Sequence, residues 1–147
     1  MLIEVLTRCY KRPHMLAANQ ASLDAQTDDD WQQTLLVDDV AVSQTFVADI
    51  KRIAEAHNPD VIMVKMDHKE RGILPGKYWQ QQPQLGDIGC SAFVVKRDIW
   101  QRHARYFGSH YAGDFDFIAS IFARDYEIYW FDCVASAVQR ISLGAAE

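Results

Sequence analysis

Three clusters of charged side chains have the types and spacing to do chemistry. The first is Thr7-Arg8-Cys9-Tyr10-Lys11-Arg12, directly after the apolar run at 2–6. Arg8, Lys11 and Arg12 could pair with phosphates, because a guanidinium offers a two-pronged fork of N–H donors. Tyr10 could stack on a base or a sugar. An ordinary basic turn explains the same residues. The second is Asp38-Asp39, which closes Thr34-Leu35-Leu36-Val37. Two adjacent carboxylates at the end of a buried strand are costly unless something cationic or hydrogen-bonding meets them. A divalent ion held by oxygen ligands, ribose hydroxyls or a neighbouring loop would each serve. The third is Gly113-Asp114-Phe115-Asp116, two carboxylates in the first turn of a helix. Asp is favoured at an N-cap and beside the positive helix end. Asp114, with Asp116 as the alternate, could equally serve as a general base.

Other reactive side chains carry weaker patterns. Cys90 with His103 or His110 downstream would suit a Cys–His hydrolase, but a small buried cysteine opening a strand accounts for Cys90. The five histidines are scattered without metal-ligand spacing. Cys9, Cys90 and Cys133 are odd in number, widely spaced and lack a Cys-x-x-Cys. That argues against a disulfide framework and a thiolate zinc site, and fits reduced thiols in a cytoplasm.

The elements that must position these clusters follow from periodicity. The run at 2–6 reads as a short strand buried on both faces. Pro13 suits the first turn of a helix, where its missing N–H costs little. Leu16, Ala17, Gln20 and Leu23 carry that helix to about Gln26, and Asp28-Asp29-Asp30 is a turn. The segment 34–37 is a second strand. A helix over 44–57 has Phe46, Ile50, Ile53 and Ala54 on one stripe and stops at Asn58-Pro59. The segment 61–64 is a third strand. Strand–helix–strand–helix–strand alternation predicts an α/β fold, a mainly parallel central sheet flanked by helices. The segment 67–89, rich in Gly and Pro, reads as a long loop able to close over a ligand. A strand over 91–95, short helices from Arg97 and from Gly113, a strand over 127–131 and an extended piece near 137–141 complete the chain.

At 147 residues one domain, 1–147, is the expectation. The net charge of −5, without a Lys/Arg cluster, argues against a broad nucleic-acid face. No apolar run has the length of a membrane span. The start lacks a basic region and a cleavage site, so no signal peptide is expected, and a cytoplasmic location is.

The residues in order resemble the family 2 glycosyltransferases, which have the GT-A fold. That family opens with a strand and a Thr-x-x-Tyr-x-Arg-Pro loop, here Thr7-Arg8-Cys9-Tyr10-Lys11-Arg12-Pro13. Leu16, Ser22-Leu23 and Gln26-Thr27 match its next helix, and Trp31 with Leu35-Leu36-Val37-Asp38-Asp39 matches its second strand. A weaker match pairs Lys96-Arg97 and Gly113-Asp114-Phe115-Asp116 with the family's Arg and its helix-opening Gly-Glu-Asp. The family's Asp-Asp-Gly-Ser is here Asp38-Asp39-Val40-Ala41. Its separate metal-holding Asp-x-Asp has no clear counterpart, Asp67-His68-Lys69 being a poor substitute. The resemblance implies a single GT-A-like domain that transfers a sugar from a nucleotide-diphosphate sugar to an acceptor hydroxyl, with inversion. Thr7, Arg8, Tyr10 and Arg12 would line the nucleotide. Asp38 and Asp39 would bind base, ribose or a divalent ion (Mn2+ or Mg2+), with Asp39 as metal ligand, and Asp114 would be the catalytic base. The partners would be the nucleotide sugar and a saccharide or other hydroxyl acceptor, with no nucleic acid. Two alternatives stand beside it. One is a noncatalytic nucleotide-sugar-binding GT-A relative. The other is a nucleotidyltransferase, which would want a Gly-rich phosphate loop where the segment 7–13 has no Gly.

Overall fold

The computed structural model describes residues 3–8, 13–28, 31–37, 40–107 and 112–138. Strand β1 (Ile3–Arg8), helix α1 (Pro13–Asp24) and strand β2 (Trp31–Val37) form a βαβ start, with β1 and β2 parallel from Ile3 opposite Trp31 to Arg8 opposite Val37. Pro13 takes the first helical position, as its fixed φ and absent donor favour. The chain continues through β3 (Val40–Ala41), α2 (Phe46–His57), β4 (Val61–His68), β5 (Gly72–Leu74), β6 (Phe93–Val95), α3 (Arg97–His103), α4 (Gly113–Phe122) and β7 (Ile128–Ala137). Helix α2 ends where Asn58 turns left-handed at φ 46° and gives its N–H to Ala54 O, just before Pro59.

The larger sheet is mixed, which corrects the expectation of a mainly parallel one. Strand β4 pairs in parallel with β7 on one edge, and antiparallel with β6 and β5 on the other. Strand β3 lies antiparallel against the far side of β7. The reversal after β4 depends on Gly72, whose φ of 78° is a conformation that costs a side chain but not glycine. The antiparallel pieces are two or three residues long; β6 lies within the expected strand 91–95, while β3 and β5 are too short for a period to reveal them.

Helices cover both faces of β4, as the alternation predicts. Val61 and Met63 pack with Ile99 of α3 and with Phe117, Ile118 and Ile121 of α4. Ile62 and Val64 pack with Ile50 and Ile53 of α2 and Ala135 of β7. A strand enclosed on both sides reads as a continuous apolar run, and 61–64 does. Burial of a side chain such as Phe117 stabilises the fold by about 1.5–3 kcal/mol.

Polar bonds join the β1–α1–β2 segment to the rest. Gln26 Nε2 donates to Ser22 O (3.1 Å) and to Ser43 O (2.9 Å), and Gln26 Oε1 accepts from Val47 N (3.3 Å). Thr27 N donates to Gln44 O at 2.9 Å, and Ala41 N to Ser22 Oγ at 3.0 Å. Lys51 of α2 reaches Asp28 at 2.7 Å. At the start of β4 and β7, Asp60 accepts from Lys96 Nζ (3.0 Å) and Glu127 N (3.1 Å). Burial works against the charge of Asp60, but these bonds with the Lys96 and Arg102 charges hold its pKa below the ordinary value. Among the described residues no helix is long and apolar enough to cross a membrane.

Candidate functional site

Strands β4 and β7 run parallel and finish together, and the carboxyl ends of parallel strands are where open sheets take ligands. Asp67 of β4 stands opposite Ala137 of β7, and Ala137 stands opposite Val40 of β3. Val138 N donates to Asp67 O at 2.9 Å, which prolongs the pairing past the end of β7. Adjacent strands are about 4.8 Å apart, so Val40 and Asp67 are about 10 Å from each other across the row. Val40 directly follows Asp38-Asp39 in the chain.

Three buried polar atoms around this end have no hydrogen-bond partner among the described residues: His68 Nδ1, Asp87 Oδ2 and Ser136 Oγ. His68 is the last residue of β4, and Ser136 pairs with both Met66 and Ala41. Asp87 belongs to the segment that folds back over Met66. Its Oδ1 accepts from Gly76 N at 3.3 Å, and four residues on, Ser91 Oγ lies 3.7 Å from Met66 Sδ just past Gly89. The approach at Gly89 is close, since a Cβ there would sit 2.6 Å from Met66 Sδ. Native structures pair nearly all buried polar atoms, so His68 Nδ1 and Ser136 Oγ near the strand ends, with Asp87 Oδ2 in the segment that follows β5, are candidate partners for a polar ligand or water.

The predicted site residues fall into three groups. Thr7 and Arg8 close β1, and Arg8 pairs in register with Val37, so the first two clusters issue from neighbouring strand ends as expected. Tyr10, Arg12, Asp38 and Asp39, the predicted metal ligand included, lie outside the described residues. Asp114 and Asp116 open α4 and are half-buried. The N-cap position is Ala112, not an aspartate; Asp114 lies in the first turn and its Oδ1 accepts from Phe115 N at 2.8 Å. Asp116 follows within the helix, its N–H bonded to Ala112 O at 2.9 Å. The strand register that aligns residues 40, 137 and 67 does not extend to α4.

His103 has structural partners rather than Cys90. It is 2% exposed, with Nδ1 at 2.7 Å from Ser120 Oγ and Nε2 at 3.2 Å from Tyr126 Oη. Cys90 opens a single turn of 3-10 helix over Cys90–Ala92. Burial, with the charge of Asp49, pushes the Cys133 thiol above its ordinary pKa, away from thiolate chemistry. Among the described residues no group of three or more His, Cys, Asp or Glu side chains is arranged to hold a metal ion.

The segment 67–89 is not one free loop. It contributes two residues to β4, the whole of β5 and the buried side chains of Leu74, Pro75, Pro83 and Ile88. Trp79 packs edge-on against Trp130 of β7 at 5.0 Å, with Lys65 Nζ 4.6 Å from its ring centroid. His68, Asp87 and Ser136 were not candidates from sequence, because each sits in a segment whose apolar pattern or turn residues explain it. The one available signal was the ending of the 61–66 apolar run on Asp67-His68. Compared with protein families, with characterised proteins and with solved structures, the chain matches none.

Proposed function

We propose that the chain is a GT-A-like glycosyltransferase, moving a sugar from a nucleotide-diphosphate sugar to an acceptor hydroxyl at the end of the sheet where β4 and β7 finish. The observation that carries this reading is the trio of unpartnered buried atoms, His68 Nδ1, Asp87 Oδ2 and Ser136 Oγ, beside the row of Asp67, Ala137 and Val40. Sugar and ribose hydroxyls both donate and accept, so they match an imidazole nitrogen, a carboxylate oxygen and a hydroxyl. The resemblance of 7–39 to family 2 glycosyltransferases supplies the donor class. Thr7, Arg8, Tyr10 and Arg12 would face the nucleotide, and Asp38 and Asp39 the ribose or a divalent ion such as manganese or magnesium.

In the reaction, the acceptor oxygen attacks the anomeric carbon and its proton passes to the Asp114 carboxylate. The bond from that carbon to the diphosphate oxygen breaks, the electron pair leaves with the nucleoside diphosphate, and the configuration inverts. Asp114 is suited to this by its place in the first turn of α4, where a half-buried carboxylate can accept a proton.

The test is calorimetric titration with a panel of nucleotide-diphosphate sugars, with and without manganese, followed by transfer assays with the donor that binds. Ser136→Ala and Asp67→Asn are expected to weaken donor binding. Asp114→Asn is expected to retain binding and lose about 10²–10⁴ in transfer rate. Asp116→Asn is the control, projecting about 200° away around the helix. A wild type that binds a donor and transfers it to no acceptor is a noncatalytic nucleotide-sugar binder, and one that binds no donor overturns the reading.

A further inference from the structure

At the far end of α4 from Asp114, two guanidiniums converge on one phenol. Arg105 Nη2 donates to Tyr106 Oη at 3.2 Å, and Arg105 Cζ lies 5.0 Å from the Tyr106 ring centroid. Arg124 comes from the other side, anchored by Nη1 donating to Ser120 O at 2.5 Å. The Tyr106 ring lies 6.0 Å from that of His103, which bonds Ser120 Oγ at 2.7 Å on the same residue that anchors Arg124, and the two arginines together hold the Tyr106 hydroxyl below its ordinary pKa. Both arginines are exposed. Their charges also reach His103, along with that of Arg102.

The other ion pairs make this cluster conspicuous. Carboxylates take up the charge of Lys51, Arg52, Lys65, Lys96 and Arg102, the last through Asp98 at 2.6 Å. Among the described residues none does so for Arg105 or Arg124. The chain as a whole is acidic, at −5. Capping of the α4 carbonyls accounts for one bond of Arg124. It accounts for nothing at Arg105, which is drawn onto Tyr106 towards a like charge. A guanidinium has five N–H donors, and the bonds described leave most of them unspent on each arginine. Paired forks of that kind match a tetrahedral oxyanion better than a flat carboxylate does singly.

We propose that Arg105 and Arg124, gathered on the Tyr106 hydroxyl, bind a phosphate group, free or carried as a monoester by a small molecule. The site is separate from the proposed transfer site, because ten residues of helix rise set Arg124 about 15 Å from Asp114. It does not depend on the glycosyltransferase reading.

The experiment is titration of the isotope-labelled protein, followed by amide and arginine side-chain NMR, at constant ionic strength. One arm uses inorganic phosphate, the other glycerol 3-phosphate, and sodium chloride is the blank. Saturable shifts confined to 102–107 and 120–126 are expected in at least one phosphate arm. Saturation with inorganic phosphate alone marks a site for the free ion, and saturation in both marks a monoester site. Arg105→Gln is expected to weaken binding by about tenfold or more, since a hydrogen bond to a charged group is lost. Arg105→Lys, which keeps the charge without the fork, should lie between. Arg124→Gln should match Arg105→Gln, and because Arg105 is exposed its variant remains informative if loss of Arg124 unsettles α4. A second readout is the Tyr106 phenol, taken as the difference between wild type and Tyr106→Phe in ultraviolet titration. Bound phosphate should move its ionisation upward by neutralising the two cations. Shifts that do not saturate, that appear equally with chloride, or that persist unchanged in Arg105→Gln overturn the proposal.

Discussion

His103 shows how one side chain can hold two elements together and make them sensitive to pH. Ser120 Oγ donates its only proton to Phe117 O at 2.7 Å, so it must accept from His103 Nδ1, and Nε2 is left to accept the Tyr126 hydroxyl. The network therefore assigns a neutral imidazole with its proton on Nδ1. Burial lowers the pKa of His103, and the charges of Arg124, Arg105 and Arg102 lower it further. The unfolded chain takes up the proton first, near pH 6.5, while the folded protein resists it until lower pH. Stability contributed by the neutral ring is thus fully present above about pH 6.5 and is lost as the pH falls towards the folded value. Urea unfolding at a series of pH values from 8 to 5 is expected to show wild type losing stability below pH 6.5 faster than His103→Gln. Parallel curves for the two proteins would remove His103 as the source. The sequence showed His103 as one scattered histidine and as a possible partner for Cys90, since its actual partners Ser120 and Tyr126 are brought to it by the packing of α3 against α4.

At the scale of elements, the return of the chain over β4 decides the shape of the candidate site. Gly89 lets the backbone pass over Met66, which is 3% exposed, so an added methyl meets sulfur at 2.6 Å and carbon at 3.0 Å. Gly89→Ala is expected to cost about 1–3 kcal/mol, measured as a shift in the urea midpoint, because overpacking must be relieved by moving a buried side chain. Met66→Ala removes the obstacle, so the double variant should be more stable than the sum of the single effects predicts. Strict additivity would mean that the loop yields instead of Met66. The helices and the long strands were legible because their periods are: the Ile50 and Ile53 stripe of α2 and the apolar run of β4 each face a core, whereas on α4 the spacing picks out Phe115, Ile118, Ala119 and Phe122 and the fully buried residues are Phe117, Ile118 and Ile121. Strand β6 falls within the expected strand 91–95, whereas β3 and β5 were not legible as a pattern, since two or three residues carry no period; these three strands turn the sheet from parallel to mixed. The candidate site inherits the same division. Asp67 closes a legible strand, whereas Ser136 and Asp87 join it through strand register and through a loop that crosses the sheet.

At the scale of the whole molecule, the two sheets meet through few named polar bonds, and Gln26 makes several of them. The sequence flagged Gln26-Thr27 through a family resemblance; the structure gives the pair a physical task, tying the end of α1 to the residues that lead into α2. Helix α2 in turn places Ile50 and Ile53 against β4. A joint of this kind should make β1–β2 and the β4 sheet unfold as one unit. Gln26→Ala removes three hydrogen bonds at a half-buried place and leaves Ser43 O and Val47 N without that partner. The expected cost is about 1–3 kcal/mol. Hydrogen exchange reads it directly. Strand β4 is enclosed on both faces, so its amides exchange only when the molecule opens globally, and that opening becomes easier by the full cost of the lost joint. Protection at 61–66 is therefore expected to fall by about ten- to a hundredfold in Gln26→Ala, and protection in β2 by the same factor. If β2 alone loses protection, β4 opens without breaking the joint and the chain behaves as two units. If neither strand changes, the bonds of Gln26 add nothing to the stability of the fold, and the joint rests on the contacts of Ser22, Thr27 and Asp28 instead.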